Sequence, residues 1–167
     1  MSRQEWCGLV LVQRLFRKVA VGGTFDKLHV GHIRLLQKAF EVGDEVLIGL
    51  MTDSFLKKYS KTHKVATYAN RRREVLSCLK ALGAVERARV VPLDDFYGPT
   101  IHDSTIEAIV VSRETEFRVR EINKQRVAKG LKPIEVVVVD MVLAEDNIPV
   151  STTRIRRGEI DREGRLL

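Results

Sequence analysis

Two periodicities alternate along this chain. Short continuous apolar runs occur at Val19-Ala20-Val21, Val46-Leu47-Ile48, Val90-Val91, Ile109-Val110-Val111 and Val136-Val137-Val138-Val139. Between them, apolar residues recur three and four positions apart. Continuous runs of this length fit strands covered on both faces, and the wider spacing fits amphipathic helices. The pattern predicts strands over residues 18–22, 45–51, 89–93, 108–111 and 134–141. It predicts helices over 30–42, 68–82, 115–129 and 151–157, and a short helical turn at 54–58. In the first helix Leu35, Leu36, Ala39 and Phe40 share one face, and Gly43 and Gly130 are the expected C-terminal stops of their helices.

Strands alternating with helices imply an α/β domain: a five-stranded parallel sheet with helices on both faces and right-handed crossovers. In such sheets ligands collect at the carboxyl ends of the strands, near the point where strand order reverses. Each polar motif of the chain follows the end of a predicted strand, so the motifs are expected to form one composite site. The domain is placed at 18–167. Residues 1–17 read as an extension, docked on the domain or partly disordered. The run Gly8-Leu9-Val10-Leu11-Val12 is short for a signal peptide, and Gln13, Arg14, Arg17 and Lys18 follow at once.

Composition narrows the partners. The chain has 167 residues, 44% hydrophobic and 31% charged, which suits one globular domain. No apolar run approaches membrane-span length. The net charge of +7 favours an anionic partner. Basic residues gather at Lys57-Lys58, Arg71-Arg72-Arg73 and Arg154/Arg156/Arg157, with acidic residues interleaved elsewhere. No nucleic-acid-binding module is recognisable, so small phosphorylated ligands explain the clusters best. Arg72 and Arg73 are expected on the solvated surface, and His63 and His102 in surface or loop positions. Cys7 and Cys78 lie far apart, without disulfide or metal-site spacing. Cys78 is expected to be a small buried residue, and the compartment to be the cytoplasm.

The most informative block runs from Gly22 to His32 (Gly22-Gly23-Thr24-Phe25-Asp26-Lys27-Leu28-His29-Val30-Gly31-His32). It lies where a strand hands over to a helix. Free backbone N–H groups and the positive end of a helix dipole favour a phosphate there. His29 and His32, three apart, can share a face and donate to phosphate oxygens. No further ligand at suitable spacing supports a zinc site, and no protein-held metal is expected. Ser151 is a good N-cap, and the hydroxyls of Ser151-Thr152-Thr153 with Arg154 can hold phosphates. The alternative for that segment is a capped helix with a basic outer face.

Residues 22–32 resemble the signature loop of the nucleotidylyltransferase superfamily, with His29-Val30-Gly31-His32 as its H-x-G-H. Three further segments resemble phosphopantetheine adenylyltransferases of the archaeal and eukaryotic type. Asp95-Phe96-Tyr97-Gly98-Pro99-Thr100 is similar to D-x-Y-G-P-T. Val111-Ser112-Arg113-Glu114-Thr115 is similar to V-S-x-E-T, with Ile122-Asn123 fitting a following I-N. The segment from Val150 to Arg156 is similar to I-S-S-T-R-I-R. The chain departs from the bacterial branch, where arginines stand in the segment of Ser112–Thr115, so phosphate contacts there must be rebuilt. Arg113 is open between that task and solvent.

The resemblance implies a Rossmann-like nucleotidylyltransferase fold. It implies adenylyl transfer from ATP to 4′-phosphopantetheine, giving dephospho-coenzyme A and pyrophosphate. Thr24, His29, His32 and Lys57 would be catalytic. Lys57 is chosen over Lys58 by counting from His32. Gly23, Thr24, Phe25, His29, His32, Ser112, Glu114, Thr115, Asn123, Ser151, Thr152, Thr153 and Arg154 would bind the nucleotide. Thr24, Lys57, Arg71, Asp95 and Tyr97 would bind the acceptor. Mg2+ would arrive bound to ATP, and coenzyme A would be a product-like ligand. The implied partners are small molecules, with neither nucleic acid nor membrane, and the expected state is a monomer. Alternatives are an FAD synthetase-like or glycerol-phosphate cytidylyltransferase-like enzyme, and a non-catalytic nucleotide- or RNA-binding module.

Overall fold

The apolar runs become strands β1 (Phe16–Gly23), β2 (Gly43–Met51), β3 (Ala88–Leu93), β4 (Ala108–Ser112) and β5 (Glu135–Val139). In the computed structural model, which describes residues 14–59 and 64–167, they form one sheet in the order β3-β2-β1-β4-β5. Every pairing is parallel: Val21 lies opposite Ile48 on one side and Val110 on the other. The chain steps outward from β1 to β3, then crosses back to lay β4 beside β1. Strand order therefore reverses between β1 and β4, and a crevice opens there at the carboxyl ends.

Helices α1 (Val30–Val42), α2 (Asp53–Tyr59), α3 (Tyr68–Ala81), α4 (Arg118–Ala128) and α5 (Thr152–Arg156) supply the outer layers. Alternation along the strands sends side chains to both faces. Val19, Val21, Val46 and Ile48 pack with Leu36, Val75 and Leu79 of α1 and α3. Ala20, Leu47, Ile109 and Val111 pack with Val119 and Ile122 of α4. A smaller cluster, Ala144, Val150 and Ile160, anchors the C-terminal segment.

Most predicted elements stand within a few residues of their expected bounds. The sheet begins at Phe16, opposite Gly43, so the last residues of the expected extension belong to β1. α4 starts three residues later than expected, because residues 113–117 are turns, in which the Thr115 and Glu116 amides bond back to Ser112 O. β5 ends at Val139 rather than at residue 141. Gly43 ends α1 as expected, donating its N–H to Ala39 O, but with an extended φ of −114°, and it opens β2. A Cβ there would lie 2.6 Å from Val19 Cγ2, so close packing accounts for the glycine. Cys78 is half-buried rather than buried, and Arg72, Arg73 and His102 are exposed as expected. Cys7 and His63 lie outside the described residues. No helix among the described residues is long and apolar enough to cross a membrane.

Candidate active site

β1 ends in Gly22 and Gly23, and the following loop is strained. Phe25 and Lys27 have φ of 49° and 46°, left-handed values that non-glycine residues adopt at a cost. Buried partners hold the loop there. Arg71, 1% exposed, donates to Thr24 O, Ala66 O and Asp53 Oδ1, each at 2.8 Å. The buried Asp26 carboxylate accepts from Ala66 N–H and pairs with Arg156, and Thr152 Oγ1 donates to Asp26 O. The Phe25 ring fills the core.

The loop delivers His29 to the N-cap of α1. His29 Nδ1 accepts from Gly31 N–H at 3.1 Å, and His32 Nδ1 accepts a longer bond from His29 N–H at 3.4 Å. The rings stack with centroids 3.8 Å apart. Burial, with the nearby Arg162 charge, pushes the His29 pKa down to about 4. Burial and the neighbouring His29 push His32 to about 3, against an opposing pull from Asp26. Both rings are therefore neutral at pH 7. With each Nδ1 accepting, both carry the proton on Nε2. Gly31 is required by contact, since a Cβ there would stand 2.9 Å from His29 Cε1.

Two cavities flank this turn. The first, about 300 Å³, lies between the carboxyl ends of β4 and β5 and the starts of α1 and α5. His29, His32, Ser112, Glu114, Ser151, Thr152 and Thr153 line it with Leu35, Val139, Met141, Val142 and Val150. The second, about 540 Å³, lies across the ends of β1, β2, β3 and β4. Thr24, Thr115 and Arg118 are its polar wall; Met51, Phe55, Leu56, Phe96, Val119 and Ile122 are among its apolar residues. Ser112 Oγ and Thr115 Oγ1, 3.2 Å apart, join the two walls.

The structure thus gathers seven expected residues at the first cavity and Gly23, Thr24 and Thr115 at the second. Others have different occupations. Both amide atoms of Asn123 are bonded to the Ile134 backbone ahead of β5, away from the strand ends where the cavities lie. Arg154 does not face the first cavity: Asp146, Glu159 and the carbonyls of Ile148 and Pro149 engage its guanidinium. Phe25 is core, and Arg71 is sealed beneath the loop. Asp95 Oδ1 accepts from Tyr97 N–H and Gly98 N–H and shapes a turn. Tyr97 lines a small apolar cavity of about 40 Å³ behind β1 and β2. Lys57 is exposed on α2 and lines neither of these two cavities. Arg113 pairs with Asp140 at the solvent edge.

Sequence reasoning missed Arg118, Asp26, the 140–142 segment and the aromatic group Phe55, Tyr59 and Phe96. Phe55 and Tyr59, four apart after a strand, were the available signal. The others are defined by partners remote in sequence.

The cytidylyltransferase-like family pattern matches residues 20–158. The phosphopantetheine adenylyltransferase of Methanopyrus kandleri is 47% identical over 146 residues, 87% of this chain and 92% of that protein. That of Methanothermobacter thermautotrophicus is 45% identical over 93% of each. The chain belongs to the phosphopantetheine adenylyltransferase family. Among solved structures, a protein of unknown function from Archaeoglobus fulgidus superposes with a TM-score of 0.66 at 31% identity, covering 74% of this chain and 89% of that one. A tyrosyl-tRNA synthetase from the same organism, 12% identical, gives a TM-score of 0.61 over 84% of this chain and 60% of its own, and shares the fold alone. In this family setting the resemblance of residues 22–32 coincides with the stacked, neutral histidine pair.

Proposed function

We propose that the protein transfers the adenylyl group of ATP to 4′-phosphopantetheine, giving dephospho-coenzyme A and pyrophosphate in coenzyme A biosynthesis. The observation that carries this reading is the pair His29 and His32, neutral and Nε2-protonated, at one wall of a hydroxyl-lined cavity that adjoins a larger apolar one. The first cavity suits a nucleotide and the second a pantetheine arm.

An acceptor phosphate oxygen attacks the α-phosphorus in line. The bond to the oxygen bridging α and β breaks, and pyrophosphate leaves. The acceptor is already an anion, so no strong base is needed. The protein aligns the groups and meets developing charge. His32 and His29 donate Nε2–H to the α-phosphate. Neutral rings can remain donors without losing a proton to the phosphate. Thr24 orients the acceptor, and Ser151, Thr152 and Thr153 contact the nucleotide phosphates. Lys57 stands on α2, whose Phe55, Leu56 and Tyr59 wall the second cavity, and its flexible stem serves charge neutralisation on the transferring groups. Among the described residues no three His, Cys, Asp or Glu side chains form a metal-ligand set. The wall of hydroxyls and neutral imidazoles fits magnesium arriving as part of the MgATP substrate. The enzyme acts as a cytoplasmic monomer on small molecules, without nucleic-acid or membrane partners, and coenzyme A is a product-like ligand.

Incubating the purified protein with ATP, magnesium and a panel of phosphorylated acceptors tests the reading. Dephospho-coenzyme A is the expected product by mass spectrometry. Turnover of another acceptor with none of 4′-phosphopantetheine would refute it.

A further inference from the structure

The second cavity is apolar along most of its wall, yet its proposed occupant brings a phosphate dianion. Among the described lining residues Arg118 is the cation. Its setting differs from that of the other arginines around the site. Arg71, Arg154, Arg156 and Arg162 are each paired with a carboxylate. Arg118 is held by rings instead. Its guanidinium carbon lies 3.8 Å from the Phe96 ring centroid and 5.3 Å from that of Phe117. Phe96 is itself wedged against Phe55 and Tyr59, with centroids 4.9 and 5.2 Å away. Stacking fixes the plane of a guanidinium and leaves its N–H edge free for an anion.

Position matters as much as charge. Arg118 N–H bonds to Thr115 O, which places the arginine one turn beyond Thr115. Thr115 Oγ1 meets Ser112 Oγ at the seam between the cavities. An acceptor phosphate must sit at that seam to reach an α-phosphate beside His32.

We propose that Arg118, with Thr115, binds the phosphate of the acceptor, the contact that the Ser112–Thr115 segment, whose Arg113 is turned to Asp140 at the solvent edge, leaves to be supplied. The inference rests on the adenylyltransferase reading above. It makes Arg118 a residue that distinguishes a phosphorylated acceptor from its unphosphorylated form.

Titration calorimetry on the full chain, with 4′-phosphopantetheine and with pantetheine, tests this. Arg118→Met keeps an apolar stem on Phe96 and removes the donors; Arg118→Gln is a second variant, and thermal melts verify that both fold. The expected result is a loss of about ten- to a hundredfold in affinity for 4′-phosphopantetheine, with pantetheine and ATP changed by less than about twofold. Equal losses for both acceptors would make Arg118 a packing residue and overturn the proposal, as would no loss at all. A wild-type protein that binds ATP but neither acceptor would overturn the adenylyltransferase reading, and this one with it.

Discussion

At the scale of single residues, the proposed chemistry turns on two imidazoles kept neutral by burial and oriented by backbone amides. A neutral donor already aimed at its target meets growing charge without reorganising. His32→Ala is therefore expected to lower kcat by about two to three orders of magnitude and to leave the KM for ATP nearly unchanged. Steady-state kinetics with both substrates varied would check this, and wild-type turnover would make His32 structural. Gly31 acts through contact alone. A methyl at this position meets His29 Cε1 at 2.9 Å, so the ring must move off its stack on His32. Gly31→Ala should retain the fold but lose much of the turnover. Full activity in that variant would show that the stacked geometry is not needed. The spacing of these residues was legible in the sequence, because a helix start places positions i and i+3 on one side. The shared tautomer was not, since it depends on how each ring meets the backbone.

At the scale of elements, five strands and their helices could be read from apolar runs, because burial on both faces writes itself locally. Long polar side chains were less legible. Arg71, Arg154 and Asn123 all stand in motif-like segments, but each is occupied by groups the sequence does not place beside it: Thr24 O for Arg71, Asp146 for Arg154 and the Ile134 backbone for Asn123. Arg71 ties the loop after β1 to the starts of α2 and α3. Burial works against ionisation of Asp53, but the Tyr68 N–H and the Arg71 guanidinium outweigh it and hold the carboxyl below its usual range. Arg71→Met should destabilise the fold by about 3 kcal/mol, because it leaves two carbonyls unpaired beneath the loop. Turnover should fall with it as Thr24 loosens. Urea denaturation and kinetics at low temperature would separate the two effects; an unchanged midpoint would show that the buried arginine is not an anchor. Arg154→Ala should lower the melting temperature and leave the KM for ATP alone. A raised KM with unchanged melting would return Arg154 to the nucleotide.

At the scale of the whole molecule, the histidine pair makes stability depend on pH in a definite window. Both folded pKa values, about 4 and about 3, lie below the ordinary 6.5. Between these limits the unfolded chain binds more protons than the folded one, so stability rises with pH. The contribution is complete above 6.5 and is lost as pH falls, the share of His29 down to about 4 and that of His32 down to about 3. Its slope is about 1 kcal/mol per pH unit for each histidine, after allowance for partial exposure of His32. Carboxylates act in the same direction but lower. Burial tends to raise the Asp103 pKa, yet Lys18 and Thr105 hold it down to about 2, so its share fades only below the ordinary carboxylate range. Chemical denaturation at intervals from pH 7 to 4.5 should therefore show a decline that belongs mainly to His29 and His32. His32→Asn should remove about half of that slope while leaving in place the carboxylate loss that continues below about pH 3. If the wild type is flat across the interval, or the variant declines as steeply, the pair is not held neutral by the fold. The donors assigned to the α-phosphate would then need another source.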